Sequence, residues 1–258
     1  MRHCNGTLQA EITLPHKGIG KMIFGGLTKL TLLDYPTKVA CTVFTVGCNF
    51  RCPFCHNNGL VHGYNTEQLS QEEVLAFLQK RKNVLEGMCL TGGEPLLQKG
   101  VEDFLKQVKQ MGYCVKLDTN GAFPQRLQQL VENGLVDYVA MDVKNSQRLY
   151  SQTVGANVDI SAICRSVEFL KSNAVDYEFR TTVTDGHTEQ SMEEMGQWLV
   201  GAKRLFLQKF VDSGDLIDPN TKGCDDQTML RFKQILQKYV PETHLRGSYA
   251  DGSYADGD

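Results

Sequence analysis

Strand-like and helix-like segments alternate along the chain from Met22 onward, and this alternation restricts the fold more than any other feature. Residues 38–46 (KVACTVFTV) are β-branched and aromatic, the composition of a strand buried on both faces. Ser70 and Glu73 form a capping-box pattern ahead of Val74, Leu75, Phe77 and Leu78 at helical spacing. The same logic predicts strands over 88–90, 113–117, 136–143, 177–183 and 204–210. Helices are predicted over 97–111, 124–133, 160–170, 192–200 and 227–239, the 192–200 helix opened by a second box at Ser191 and Glu194. Six strand-then-helix units demand parallel pairing through right-handed crossovers. An open doubly wound sheet and an incomplete (β/α) barrel both satisfy that demand, and 258 residues suit one such domain.

Composition narrows the partners. A net charge of −3 leaves no basic footprint for nucleic acid. No apolar run approaches the length of a membrane span, and the first twenty-one residues lack the apolar core of a secretion signal. Nine cysteines without an export signal read as thiols or metal ligands in a reduced, cytoplasmic protein.

Three of those cysteines carry the chemistry. Cys48, Cys52 and Cys55 lie within eight residues of loop directly after the first strand, in the run Cys48-Asn-Phe-Arg-Cys52-Pro-Phe-Cys55-His56-Asn57. Soft sulfur ligands at this spacing select zinc or iron–sulfur, and three thiolates on a four-iron cluster leave one iron open to a non-protein ligand. A structural zinc site would need a fourth ligand, His56 or a distant cysteine. A c-type haem attachment or a thioredoxin-like pair would leave Cys48 unused, and three buried structural thiols remain the plainest alternative. Cys41, Cys89 and Cys114 fall within strand patterns and read as small buried hydrophobes.

Two further motifs sit at strand ends. Thr91-Gly92-Gly93-Glu94-Pro95 follows the second strand, where paired glycines admit a ligand close to the backbone and Glu94 can accept from an ammonium. Asp118-Thr119-Asn120 and Asp142-Val-Lys144 end the third and fourth strands, at the carboxyl edge where parallel sheets bind ligands. A strand-to-helix turn, a turn sequence and a solvated ion pair are the corresponding structural readings.

Cys-x3-Cys-x2-Cys with Phe54 before the last cysteine resembles the signature of radical S-adenosylmethionine (SAM) enzymes. With the stretch Gly25-Gly-Leu-Thr-Lys-Leu-Thr-Leu-Leu-Asp-Tyr-Pro36, the chain resembles the activating proteins of anaerobic ribonucleoside-triphosphate reductase. Residues 1–21, without strong periodicity, read as an N-terminal extension, and 247–258 as a GSYAD-repeat tail whose Gly/Ser/Asp-rich composition predicts disorder. The resemblance implies an incomplete (β/α)6 parallel barrel over 22–246. It implies a 4Fe-4S cluster on Cys48, Cys52 and Cys55, reductive cleavage of SAM to a 5′-deoxyadenosyl radical, and glycyl-radical formation on the reductase. A low-potential donor such as flavodoxin or ferredoxin would supply the electron. By the same resemblance Gly92, Gly93 and Glu94 meet the SAM amino group, and Phe54 and His56 border the adenine. Asp118, Thr119, Asn120 and Asp142 contact SAM or a monovalent cation, and Lys144 meets the SAM carboxylate. Relatives carry a SAM-contacting His where this chain has Gln208, and Arg180 reads equally as a site residue or a structural ion pair. The alternatives are a radical SAM enzyme acting on another glycyl-radical enzyme, a peptide or a small molecule, as in 7-carboxy-7-deazaguanine synthases, and a non-enzymatic zinc or iron–sulfur protein.

Overall fold

The computed structural model describes residues 22–64, 68–212 and 214–247; the 1–21 extension and the GSYAD repeat beyond Gly247 lie outside the described residues. In chain order the strands are β1 (Ile23–Thr31), β2 (Ala40–Thr45), β3 (Leu69–Ser70), β4 (Gly87–Gly92), β5 (Cys114–Thr119), β6 (Tyr138–Asp142), β7 (Asp176–Val183), β8 (Leu205–Lys209) and β9 (Thr243–Arg246). The helices are α1 (Asn58–His62), α2 (Gln71–Arg81), α3 (Val101–Gln110), α4 (Pro124–Glu132), α5 (Tyr150–Thr153), α6 (Ile160–Lys171), α7 (Glu189–Leu199) and α8 (Asp226–Gln237).

All the strands join one sheet in the order β3-β1-β2-β4-β5-β6-β7-β8-β9. From β2 through β4 to β9 every pairing is parallel and each strand adds on the same side, while the short β3 pairs antiparallel with β1 at the other edge. Right-handed crossovers that always step in one direction place their helices on one face, so the doubly wound alternative is excluded and the sheet is an open, barrel-like α/β layer. Alternation along the strands does the rest. On β5, Val115 and Leu117 join the apolar core shared with Phe104 and Leu127, while Lys116 and Asp118 take the opposite, concave face.

Four expectations change. β9 adds a seventh parallel strand beyond the six expected, and β1 pairs antiparallel to β2 with two register shifts. β1 escapes a period-two reading because Gly25, Gly26 and its exposed Thr and Lys positions break the apolar alternation. The predicted 97–111 helix starts at Val101, because Pro95–Leu97 first forms a 3-10 turn capped by Glu94. The second capping box belongs to Thr188 and Ser191 rather than Ser191 and Glu194: each side-chain oxygen accepts from the other residue's backbone N–H. The first box, Ser70 with Glu73, is formed as read. No helix among the described residues is long and apolar enough to cross a membrane.

Candidate functional site

The C-terminal ends of β2 and β4–β8 surround a cavity of about 290 Å³. Cys48, Cys52, Cys55, Phe54, His56, Gly92, Gly93, Asp118, Thr119, Asn120, Asp142 and Lys144 line it, and so do Arg180 and Gln208. Of the residues singled out from sequence, only Glu94 stays off this surface.

The thiol loop is held from both sides. The Arg51 guanidinium donates to the Cys48 and Phe50 carbonyls, both at 2.7 Å, and the Arg51 N–H donates to Val154 O at 2.9 Å. The Asn120 amide donates to Asn49 Oδ1 at 2.8 Å and to Cys48 Sγ at 3.9 Å, while the Phe50 N–H reaches the same sulfur at 3.4 Å. Burial pushes the Cys48 thiol up to about 12 and the Cys52 thiol up to about 11. A thiol so raised ligates only when a metal centre supplies the positive charge that takes its proton's place. Two N–H groups aimed at Cys48 Sγ form the hydrogen-bonded surroundings of a ligating sulfur. Among the described residues no three His, Cys, Asp or Glu side chains converge on one metal ion. Three thiols lining one cavity are the soft-sulfur donor set that a 4Fe-4S cluster takes.

The glycine pair has a different origin from the one expected. A Cβ on Gly92 would lie 2.3 Å from Thr45 N, and one on Gly93 would lie 2.0 Å from Gly47 O. Gly92 also holds φ +113°, a backbone region that L side chains rarely adopt. The pair is therefore required by the end of β2 and the loop that follows it, packed behind the glycines, with the Gly93 N–H donating to Thr45 O at 2.9 Å.

Glu94 departs from the expectation of an acceptor for an ammonium group. Its carboxylate is fully buried and already accepts from Leu96 N at 3.0 Å, Thr119 Oγ1 at 2.8 Å and Asn120 N at 2.7 Å. It ties the end of β4 to the end of β5. Burial pushes it up to about 7 against the pull of those three donors.

Across β5, β6 and β7 runs a ladder of five charges. Lys116 Nζ meets Asp118 Oδ1 at 2.6 Å, and Arg180 Nη1 meets Asp118 Oδ2 at 3.1 Å. Arg180 Nε meets Asp142 Oδ1 at 2.9 Å, and Lys144 Nζ meets Asp142 Oδ2 at 3.0 Å. Each of the four carboxylate oxygens thus faces a side-chain cation, and the Thr119 hydroxyl is spent on Glu94. The expected monovalent cation loses its ligands, because Arg180 and the two lysines supply the neutralising charge. Burial alone would raise Asp118, but Arg180 and Lys116 bring it down to about 2. Asp142 is lowered by Arg180 and then Lys144 against its burial, and Lys144 is raised, Asp142 outweighing burial. The ladder is fully ionised at neutral pH.

Aromatic rings complete the mouth. Lys144 Nζ stands 5.7 Å from the Phe54 ring centroid, and His56 stacks on Phe210 at 5.4 Å with a 21° interplanar angle. Burial lowers the His56 pKa. Lys116, Phe210 and His187, whose ring bonds to the Lys144 carbonyl, are site or supporting residues that pattern reading missed. Lys116 carried a signal, a lysine at an inward strand position two residues before Asp118; the other two have none at sequence level.

Comparison with known proteins places this geometry. The model of the radical SAM superfamily matches residues 42–199. A Methanocaldococcus jannaschii protein provisionally named glycyl-radical enzyme activating enzyme MJ1227 is 29% identical over 239 residues, 88% of this chain and 96% of that protein. The GTP 3′,8-cyclase of Aquifex aeolicus is 30% identical over 57% of this chain, which spans half of the cyclase. The crystal structure of Streptococcus suis SuiB bound to SAM superposes with a TM-score of 0.61 at 13% identity, covering 79% of this chain and 49% of SuiB. With more than half its length matched by the family model and a thiol loop, fold and cavity of the corresponding kind, the chain belongs to the radical SAM superfamily: it is an oxidoreductase that uses a 4Fe-4S cluster and SAM.

Proposed function

We propose that this enzyme is an activase that generates a glycyl radical on a partner protein, and that the partner is anaerobic ribonucleoside-triphosphate reductase. The alignment with MJ1227 over 96% of that protein's length carries the reading. The Gly25–Pro36 stretch supports the choice of reductase. The cyclase match covers little more than half of this chain and leaves a small-molecule substrate as the weaker reading.

When bound, the cluster supplies the low-potential electron that cleaves the SAM sulfonium, delivered by a donor of the flavodoxin or ferredoxin kind. The protein's residues bind, orient and exclude water. Cys48, Cys52 and Cys55 hold the cluster. Lys144, fixed between Asp142 and the Phe54 face, presents its ammonium to the SAM carboxylate. Phe54 and His56 wall the adenine, and the Thr91–Gly93 backbone borders the amino-acid end. Glu94, Thr119 and Asn120 act through the strand ends they tie together, and Asp118 through Arg180. No side chain is asked to transfer a proton.

The test is electron paramagnetic resonance of anaerobically reconstituted protein with reductant, SAM and the candidate reductase. A doublet glycyl signal that disappears in the Cys48, Cys52 and Cys55 variants supports the reading. SAM cleavage with no radical on any glycyl-radical enzyme, but turnover of a small molecule, replaces it with the second.

A further inference from the structure

We infer that His187 is a positioning residue for Lys144, holding the main chain from which that ammonium projects into the cavity. The inference rests on the assignment of Lys144 to the SAM carboxylate. At the end of β6 three successive carbonyls each receive one side-chain donor. The Tyr150 hydroxyl donates to Asp142 O at 3.3 Å, the Thr181 hydroxyl to Val143 O at 2.7 Å, and the His187 Nε2–H to Lys144 O at 2.9 Å. The β6–β7 ladder stops at the Asp142–Arg180 pair, so Lys144 lies beyond the reach of strand pairing. Its side chain touches Asp142 and the Phe54 face, contacts that do not fix its backbone; the Tyr150 hydroxyl holds the Lys144 N–H, which leaves the Lys144 carbonyl to His187.

The His187 ring is suited to that task because a neutral imidazole has one donor and one acceptor nitrogen. A carbonyl can only accept, so Nε2 carries the hydrogen toward Lys144 O at 2.9 Å; Nδ1 is then the acceptor and takes the Thr184 N–H at 3.1 Å, with the Thr184 hydroxyl and carbonyl oxygens each at 3.3 Å. One neutral ring thereby bridges the loop after β6 to the loop after β7. The ring is 5% exposed, and burial lowers its pKa, which preserves this single-proton arrangement. The mechanism leaves His187 without chemistry of its own, since it does not line the cavity.

The two hydrogen bonds can be removed one at a time. In H187Q the amide nitrogen reaches the place of Nε2 and keeps the donor to Lys144 O, while the acceptor for Thr184 N is lost. In H187N the amide oxygen takes the place of Nδ1, and the donor is lost instead. The measurements are backbone hydrogen exchange over residues 143–146 and the thermal midpoint in cluster-free protein, then SAM affinity after anaerobic reconstitution. H187N should speed exchange at 143–146 and weaken SAM binding by ~10-fold each, the worth of one hydrogen bond. H187Q should stay within ~3-fold of the parent in both. Equal losses in the two variants, or a larger loss in H187Q, mean that His187 only shapes the 184–187 turn and overturn the inference. If H187N yields no folded protein, H187Q decides alone: normal exchange and SAM affinity support positioning, and SAM binding weakened beyond ~10-fold at a normal midpoint overturns it. K144M separates the two levels. Unchanged SAM affinity in K144M removes the Lys144 assignment itself, whereas weakened affinity in K144M beside a normal H187N removes only the role given to His187.

Discussion

The cavity has two walls built on opposite principles. The thiol wall is incomplete by itself: half-buried Cys48 and buried Cys52 have raised pKa values and await a positive centre. The wall formed by β5, β6 and β7 is complete by itself, each carboxylate oxygen of Asp118 and Asp142 matched to a lysine or arginine. One wall therefore gains its charge balance from the cofactor, and the other keeps its shape whether or not a ligand is present. Substitutions in the first should abolish chemistry with modest cost to the fold, and those in the second should strike the fold directly.

The largest effect belongs to the thiol wall. C52S should lose cluster iron and depress SAM cleavage by at least ~10³-fold, with no further loss on adding C48S or C55S, because the three act as one unit. Iron analysis and SAM turnover read this, and C52S protein with full iron and activity would break the comparison.

Next comes the charge wall. R180M strips a partner from both buried carboxylates and should cost ~3–5 kcal/mol in denaturant unfolding of the cluster-free protein. Adding D118N and D142N to R180M should deepen that loss, because Lys116 and Lys144 are then left buried without their carboxylate partners. Failure of both expectations would mean that the ladder is solvated and energetically slack.

Glu94 gives a smaller, pH-dependent effect. Its pKa rises from 4.5 to about 7 on folding, so the native state holds a proton over that interval that the unfolded chain has released. Its contribution to stability therefore falls as pH climbs from 4.5 toward 7 and levels off above. E94Q should remove that slope and cost ~1–3 kcal/mol, because its amide turns a donor toward a backbone N–H. Unfolding curves at several pH values would check both. The smallest effect is the control on the outer surface: K106M, which breaks the exposed pair with Glu102, should shift stability by less than ~0.5 kcal/mol.

Much of the site was legible in sequence because its pieces are local. Cys48, Cys52 and Cys55 share one loop, and Asp118, Asp142 and Lys144 sit where any parallel sheet presents its strand ends. What was illegible depends on register and on side-chain direction. Arg180 meets Asp142 because β6 and β7 pair those two positions, 38 residues apart. Glu94 looked like a ligand acceptor until its carboxylate was found turned inward onto Thr119 and Asn120. β1 and β9 were missed as strands since neither carries an alternating apolar face strong enough to declare itself.

The order of hydrophobic segments, the cysteine spacing and the strand-end polar residues were set by the sequence alone, because each depends on neighbours within about ten residues. Which charges neutralise one another, why Gly92 and Gly93 tolerate no side chain, and how His187 comes to hold Lys144 were decided only in the folded chain. Those contacts join separate strands and loops, and their energies depend on distances that no local pattern encodes.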